Sequence, residues 1–343
     1  MAKNSLSSKQ SSSLGRLYSP LILAGMALAI FALWTGDYTL LSNALAWGLA
    51  AMAFDVCMGH AGVFSFGHSA MMAAGAYTAG LMVVHVTPNL EVALVSAMAV
   101  GALIGGLMAL VTVRRSHLRQ ALITMGIAEL LRVFIVDMSW TGSANGFAAR
   151  PDSLFAGASG RSAFIYTLIV VGIAAAFLIW LYATSFGRVM HGVRDDSTRM
   201  AHLGFQPSLF RSTAFVISGG FTALAGALTV YHTRVVDFGL TNVHVSTQLI
   251  IMTVLGGLGY SVYGALSGAI GYVLLEDLFI GRTSQWPLLI AAAYVIIVRA
   301  RIGGIAPALT RRGHSVWNLV RRRVSTNSPE NEKDSTPTER TIP

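Results

Sequence analysis

One cysteine, Cys57, occurs in 343 residues, so the chain cannot close an intrachain disulfide. No Cys/His spacing suited to a metal accompanies it. Cys57 lies inside an apolar run and reads as a small buried hydrophobe. Charge is scarce too: 11% of residues are Asp, Glu, Lys or Arg, against about 25% in soluble domains. That shortage excludes an ordinary soluble enzyme or binding module. Also missing are a G-x-x-x-x-G-K-[ST] phosphate loop, a nucleophile–base pair and any catalytic cluster. The chain therefore reads as a non-enzyme without a resident cofactor, unable to hydrolyse ATP alone. The net charge is +9, yet no DNA- or RNA-binding motif goes with it, and nucleic acid is not an expected partner.

What fills the sequence is hydrophobic residues, 54% of the total. A spanning helix needs about 20 mostly apolar residues. Candidate spans lie at 20–36, 40–58, 62–84, 90–113, 118–136, 163–184, 212–231, 245–260, 263–280 and 286–300. The expected fold class is an all-α integral membrane protein, a polytopic bundle of about ten transmembrane helices. The glycine-rich stretches 62–84 and 245–280 could hold broken or re-entrant helices. The first 19 residues are polar and Ser-rich, and the apolar stretch after them reads as a first span, not a signal peptide. The membrane domain covers 20–300 and a tail covers 301–343.

The basic residues orient this bundle. With the N-terminus inside, 19 of the 24 Lys and Arg fall on inner segments. Positive loops resist translocation, so both termini and the segment 185–211 are expected on the cytoplasmic side. The tail is basic, then rich in Ser, Thr, Pro and Glu, a composition that cannot bury a core. Its basic part, RRGHSVWNLVRRR, could lie on anionic lipid or simply anchor that end inside. Small residues four apart recur as Ala76/Gly80, Gly101/Gly105, Gly264/Gly268 and Ala265/Ala269. Such pairs let helices approach closely in lipid.

The segment 185–211, SFGRVMHGVRDDSTRMAHLGFQPSLFR, is charged where its flanks are apolar. On a helix over 187–203, Val189, Val193, Met200 and Leu203 form one stripe. Arg188, Arg194, Asp195, Arg199 and both histidines lie off it, and Asp196 interrupts it. Asp195 and Arg199 are spaced to pair. Gly204 is placed as a C-terminal cap, and Pro207 restarts the chain toward the next span. An amphipathic helix of this kind rests on the membrane surface or docks in a groove on a soluble partner.

Several segments bear a family likeness. Gly187-Arg188, Val193-Arg194-Asp195-Asp196 and Leu203-Gly204 with the continuation to Phe215 resemble the cytoplasmic coupling loop of ABC-importer permeases of the branched-chain amino acid branch. Arg199 and Met200 stand where that family has small alanines. Residues 59–80, GHAGVFSFGHSAMMAAGAYTAG, resemble its early glycine signature. Residues 121–132, ALITMGIAELLR, resemble its fifth-span motif, and 141–146, TGSANG, its outer loop, with Ser143 replacing a glycine. Residues 254–269, VLGGLGYSVYGALSGA, resemble its late glycine run, with Ala265 in place of a common proline. The likeness covers 40–280 in order.

The resemblance implies a bacterial inner-membrane permease working by alternating access. It implies as partners a homologous second permease, two cytoplasmic ATPase subunits that bind the ATP, and a periplasmic or lipid-anchored substrate-binding protein. In that family the coupling loop inserts into the ATPase, so Arg188, Val193, Arg194, Asp195, Asp196, Leu203 and Gly204 are candidate coupling residues. A sister group carries urea and short amides.

Asp55, Gly62, Ser65, Gly67 and His68 are candidates for the translocation pathway, because broken helices expose polar backbone at membrane depth. The structural alternative is tight packing, with His68 bonded to a neighbouring carbonyl. A charge at mid-bilayer costs at least ~2.5 kcal/mol, so Asp55, Glu129 and Arg132 should face protein or water. Glu129 and Arg132 are three apart and suited to pair. Glu276 and Asp277 are expected near the outer surface. The outer loop 137–162 is long enough to meet a binding protein, or is merely solvated. A self-sufficient ion-coupled transporter is the competing function; it would need Asp55 to titrate and an internal repeat, and no convincing repeat is present. An intramembrane enzyme ranks below both.

Overall fold

The computed structural model describes residues 36–115, 117–152, 160–259 and 262–280, with four isolated positions beyond. Ten helices are described: α1 (Tyr38–Asp55), α2 (His68–His85), α3 (Leu90–Thr112), α4 (His117–Asp137), α5 (Gly160–Ala183), α6 (Ser185–Asp195), α7 (Ser197–His202), α8 (Pro207–Thr233), α9 (Val243–Gly256) and α10 (Val262–Phe279). A π-helical turn, Val56–His60, prolongs α1. Two short strands, β1 (Phe147–Ala148) and β2 (Val235–Val236), pair antiparallel with Phe147 opposite Val236. The sequence reading had no strands. β1 lies beyond the end of α4 and β2 beyond the end of α8, so their pairing ties two connecting segments together.

Local chemistry sets most of the helix starts. Asp37 accepts from the Leu40 amide at 3.2 Å, Asn89 from Glu91 at 3.3 Å and Asn242 from His244 at 2.9 Å. Each satisfies one of the orphan donors at a helix N-terminus. Pro207 occupies the first turn of α8, where no amide is needed.

Eight of the ten expected spans fall in the described residues, each on one helix. The spans 20–36 and 286–300 lie essentially outside them, as does the tail 301–343. Among the described residues, five helices are long and apolar enough to cross a membrane: α1 with its π-turn, α3, α5, α8 and α10. The expected span 245–260 needs correction. Its helix, α9, has 14 residues, about 21 Å, short of the ~30 Å hydrocarbon core. It ends at Gly257, which has φ +115°, and Gly259, with φ +65°. The expected span 62–84 also starts late. Residues 61–67 are non-helical, and α2 begins only at His68.

The core is built around α1 and α8. In each, 83% of the best spanning window is buried, against 33% in α3. α8 packs on α1, α2 and α3, while α10 and α5 close on α1. Small residues make this possible. A Cβ on Gly105 would collide with the Phe215 carbonyl, and one on Gly219 with the Gly101 carbonyl. α3 and α8 thus meet backbone to backbone, with Gly101 and Gly105 as expected and Gly219 supplying the other half. The exposed faces of α3 and α5 carry Val95, Leu103, Leu110, Ile169 and Ile173, side chains suited to lipid.

Candidate functional site

The loop between α5 and α8 is two helices, not one. Asp196 (φ −154°, ψ 94°) leaves the helical region, ending α6 and starting α7. Its carboxylate accepts from the amides of Thr198 at 3.0 Å and Arg199 at 2.9 Å. An Asp in this place competes with the helix for its own backbone and becomes an N-cap. Those amides hold the exposed Asp196 carboxyl below its ordinary 3.8, against a smaller opposing effect of burial. The ion pair also differs from expectation. Arg199 lies 3.7 Å from Asp196, not against Asp195, because the break turns Asp195 away. Gly204 does close α7, with φ +87° and its amide 3.0 Å from the Ala201 carbonyl.

The two helices have different surroundings. α6 buries Gly187, Met190 and Val193 against the bundle, so Val193 faces inward. α7 buries nothing. Leu203 is 66% exposed and Phe205 40%, and the side chains of Asp195 and Arg199 are exposed. Arg188 is turned back, donating to the Ala183 carbonyl at 2.8 Å and Ser185 Oγ at 2.9 Å. A cation on the last carbonyls of α5 suits the negative end of that helix. The Phe186 and Phe210 rings meet at a tilt, centroids 5.3 Å apart, bracing the base of α6 on the base of α8.

α6 lies on a polar joint at the end of α1. Arg194 donates from its guanidinium to the Gly59 carbonyl, a contact 135 residues apart in the chain. Its stem runs over Gly62, where a Cβ would sit 3.1 Å from Arg194 Cγ. Gly62 has φ +67°, so glycine serves both the backbone and the overlying side chain. Inside this layer is Asp55, fully buried. Its Oδ1 accepts from the Gly259 amide at 2.8 Å. His60 Nδ1 is 3.2 Å from the Asp55 main-chain carbonyl, with hydrogen-bond geometry. It is also 3.2 Å from Oδ2, an oxygen that makes no hydrogen bond of proper geometry among the described residues. The His60 ring stacks on Tyr182 at 3.6 Å and leans on His191 at 4.5 Å. Partial burial first, then His60 and Arg194, press the His191 imidazole below its ordinary 6.5, outweighing Asp195 and Asp55.

Ser65, Gly67 and His68 form a second cluster, at the break before α2. His68 and Ser65 are fully buried. His68 Nε2 lies 2.8 Å from Ser218 Oγ, and that hydroxyl donates to the Ala53 carbonyl at 2.5 Å. His68 Nε2 therefore meets a hydroxyl on α8. Ser65 Oγ accepts from the Gly67 amide at 3.0 Å. Thr124 on α4 accepts from the Phe66 amide at 3.1 Å. Ser246 on α9 accepts from the Ser69 amide at 2.8 Å and donates to the Phe66 carbonyl at 2.6 Å. An apolar medium offers no water to a broken helix, so side chains must complete its backbone.

The candidate residues thus sort differently from the sequence reading. Asp55 and Gly62, read as pathway residues, come together with Arg194, read as a coupling residue. Ser65, Gly67 and His68 stand apart from them. Sequence reasoning missed Gly59, His60 and Gly259, which lay inside the early and late glycine motifs. It also missed Tyr182, Ser218 and Ser246, which carried no signal. The expected Glu129–Arg132 pair is present on α4, Nε to Oε2 at 2.5 Å, with both side chains 39% exposed. Among the described residues, no group of His, Cys, Asp and Glu could hold a metal.

Apolar spanning helices with an amphipathic polar loop between two of them define a multi-pass helical membrane protein. Residues 38–299 match the family described as branched-chain amino acid transport system / permease component, and the chain belongs to that family. It is similar to the high-affinity branched-chain amino acid transport system permease protein LivM of Salmonella typhimurium (strain LT2). That match is 22% identical over 316 residues, covering 83% of this chain and 74% of the relative. The LivM protein of Escherichia coli (strain K12) is 23% identical over 286 residues, covering 76% and 67%. No solved structure matches significantly.

Proposed function

We propose that this chain is the membrane-spanning permease subunit of an ATP-driven importer for branched-chain amino acids in the bacterial inner membrane. It has about ten spans, with both termini and the α6–α7 loop on the cytoplasmic side. A homologous second permease, two ATPase subunits and a periplasmic or lipid-anchored binding protein complete the machine. The family match over 38–299 carries the reading, because it takes in the spans and the loop together. Family membership favours neither the urea and amide reading nor an ion-coupled transporter.

Transport proceeds by alternating access. ATP binding closes the ATPase pair, and the docked loop moves the helices above it. The permease hydrolyses nothing, so its work is to transmit movement and provide a path. Asp195, Arg199, Leu203 and Phe205 offer the ATPase an apolar patch ringed by charge. Val193 and Met190 hold the loop to the bundle. Gly62, Ser65, Gly67 and His68 lie at the one break among the described residues that divides α1 from α2, and reorganisation there would open polar backbone to substrate. The Glu129–Arg132 pair supports the second permease. It lies within α4, past its midpoint, and a half-exposed ion pair is costly against lipid. That face of α4 lies at the boundary between the two permeases.

Reconstitution with the ATPase and binding-protein partners tests the proposal. ATP inside the vesicle compartment facing α7 should drive uptake of leucine, isoleucine or valine, and omission of the ATPase should abolish it. Uptake by the permease alone under a proton gradient would establish the ion-coupled alternative instead.

A further inference from the structure

Arg194 belongs to the loop by sequence but to the bundle by contact. Its guanidinium is spent on the Gly59 carbonyl in the π-turn of α1. The same guanidinium presses on Gly259, where a Cβ would collide with it. Gly259 in turn donates to Asp55 Oδ1 at 2.8 Å. Gly59 has no room for a side chain either: its Cβ would meet the Asp55 carboxylate and the Gly259 amide. Two turns, one ending α1 and one between α9 and α10, are therefore clasped from both sides. Asp55 holds them from within and Arg194 from the loop. π-turns recur at functional sites.

We propose that Arg194 is a positioning residue: it is the latch through which displacement of α6 moves the end of α1 and the α9–α10 turn as one piece, and it does not contact the ATPase. This rests on the transport reading above. A charge-assisted hydrogen bond to a carbonyl is strong and directional. It suits a part that must transmit force in both directions. Coupling between sites requires such a shared element, biased from both ends. Arg194 and Asp195 are both exposed, but the Arg194 guanidinium is held on the Gly59 carbonyl, which leaves Asp195 the better placed of the two for a subunit contact.

The test uses the assembled complex of permeases, ATPases and binding protein in vesicles, comparing wild type, Arg194→Gln, Arg194→Lys, Gly259→Ala and the double variant Arg194→Gln/Gly259→Ala. Three quantities are read: ATPase retained on purification, ATP hydrolysed, and amino acid imported per ATP. Arg194→Gln is expected to retain the ATPase and hydrolyse ATP, while import per ATP falls about tenfold, the effect of losing one charge-assisted bond. Arg194→Lys should recover most of the ratio. Gly259→Ala, whose Cβ would meet both the guanidinium and the Gly59 carbonyl at a φ of +65°, should lower it at least as far, and the double variant should fall no further than Gly259→Ala alone, because the arginine's contact is already lost there. If Arg194→Gln fails to assemble, Gly259→Ala carries the same reading with the arginine intact. Loss of ATPase retention in Arg194→Gln at an unchanged ratio would make Arg194 a docking residue and overturn the latch. So would wild-type ratios in both single variants, or additive losses in the double. A wild-type complex without ATP-driven uptake would overturn the transport reading first, and the latch with it.

Discussion

α6 and α7 are consecutive helices of one polar loop, yet they belong to different structures. α6 is amphipathic and its apolar face is already used, on Gly187, Met190 and Val193. α7 has no buried residue and is held by its own cap. The connection between them is one non-helical residue, Asp196. An amphipathic pattern in sequence says that a face will be covered, but not by what. Here the apolar face of the first half is covered by the same chain, while the second half with its turn, and Asp195 just before it, are left uncovered. A lever needs both parts, a fixed arm and a free one, and Asp196 is where they join.

The strongest way to break this contrast is to attack the fixed arm. Met190→Ala removes a fully buried side chain and should destabilise the permease by about 2–5 kcal/mol, as large-to-small core changes do. Leu203→Ala, in the free arm, should stay within about 0.5 kcal/mol of wild type. Thermal unfolding of the detergent-solubilised permease measures both. ATPase retention should then reverse the order: Leu203→Ala should weaken it about tenfold or more, as an interface anchor would. Equal stability losses at the two positions would mean that α7 also packs on the bundle.

A smaller effect separates Asp195 from Asp196, which look equivalent in sequence. Asp196→Ala removes the acceptor for two amides, so α7 should fray. Hydrogen exchange at Thr198 and Arg199 should quicken several-fold while the amides of α6 stay protected. Asp195→Ala removes an exposed carboxylate that accepts none of the hydrogen bonds resolved in the loop, and should leave exchange unchanged in both helices. If it also leaves ATPase retention unchanged, the docking patch excludes Asp195.

Much of this organisation was legible beforehand. Eight expected spans fall on eight helices because runs of apolar residues need no context to be recognised. Gly204 and the Glu129–Arg132 pair were readable from local spacing. Asp196 was seen to interrupt the stripe, yet its capping role was not, because a helix break depends on whether the next turn finds a better start. Asp55 and Arg194 looked unrelated, one greasy-flanked and one in a charged loop. Their meeting depends on the α9–α10 turn folding back 204 residues away from Asp55, which no local pattern announces. Ser218 and Ser246 were invisible for a similar reason. A serine in an apolar helix reads as a small packing residue until the partner across the bundle is known.

The smallest expected effect is a difference in acid sensitivity between the two arms. His191 sits in α6 with its imidazole held below 6.5 by partial burial and by His60 and Arg194. A histidine whose folded pKa is depressed favours folding above its unfolded value. That contribution is lost as pH falls from 6.5 toward the folded pKa, because the unfolded chain takes up the proton first. Asp196, in contrast, has a carboxyl held below 3.8. Its contribution is complete above 3.8 and disappears only as pH falls through the lower folded value. The fixed arm should therefore loosen first on mild acidification, and the capped free arm only in much stronger acid. Hydrogen exchange on the solubilised permease, corrected for the intrinsic pH dependence of exchange, would show α6 amides losing protection as pH falls below 6.5, with α7 amides steady over the same range. His191→Gln should flatten the α6 response and leave α7 alone. If α7 loosened at the same pH as α6, the two helices would be one cooperative unit, and the division at Asp196 would be a bend rather than a joint.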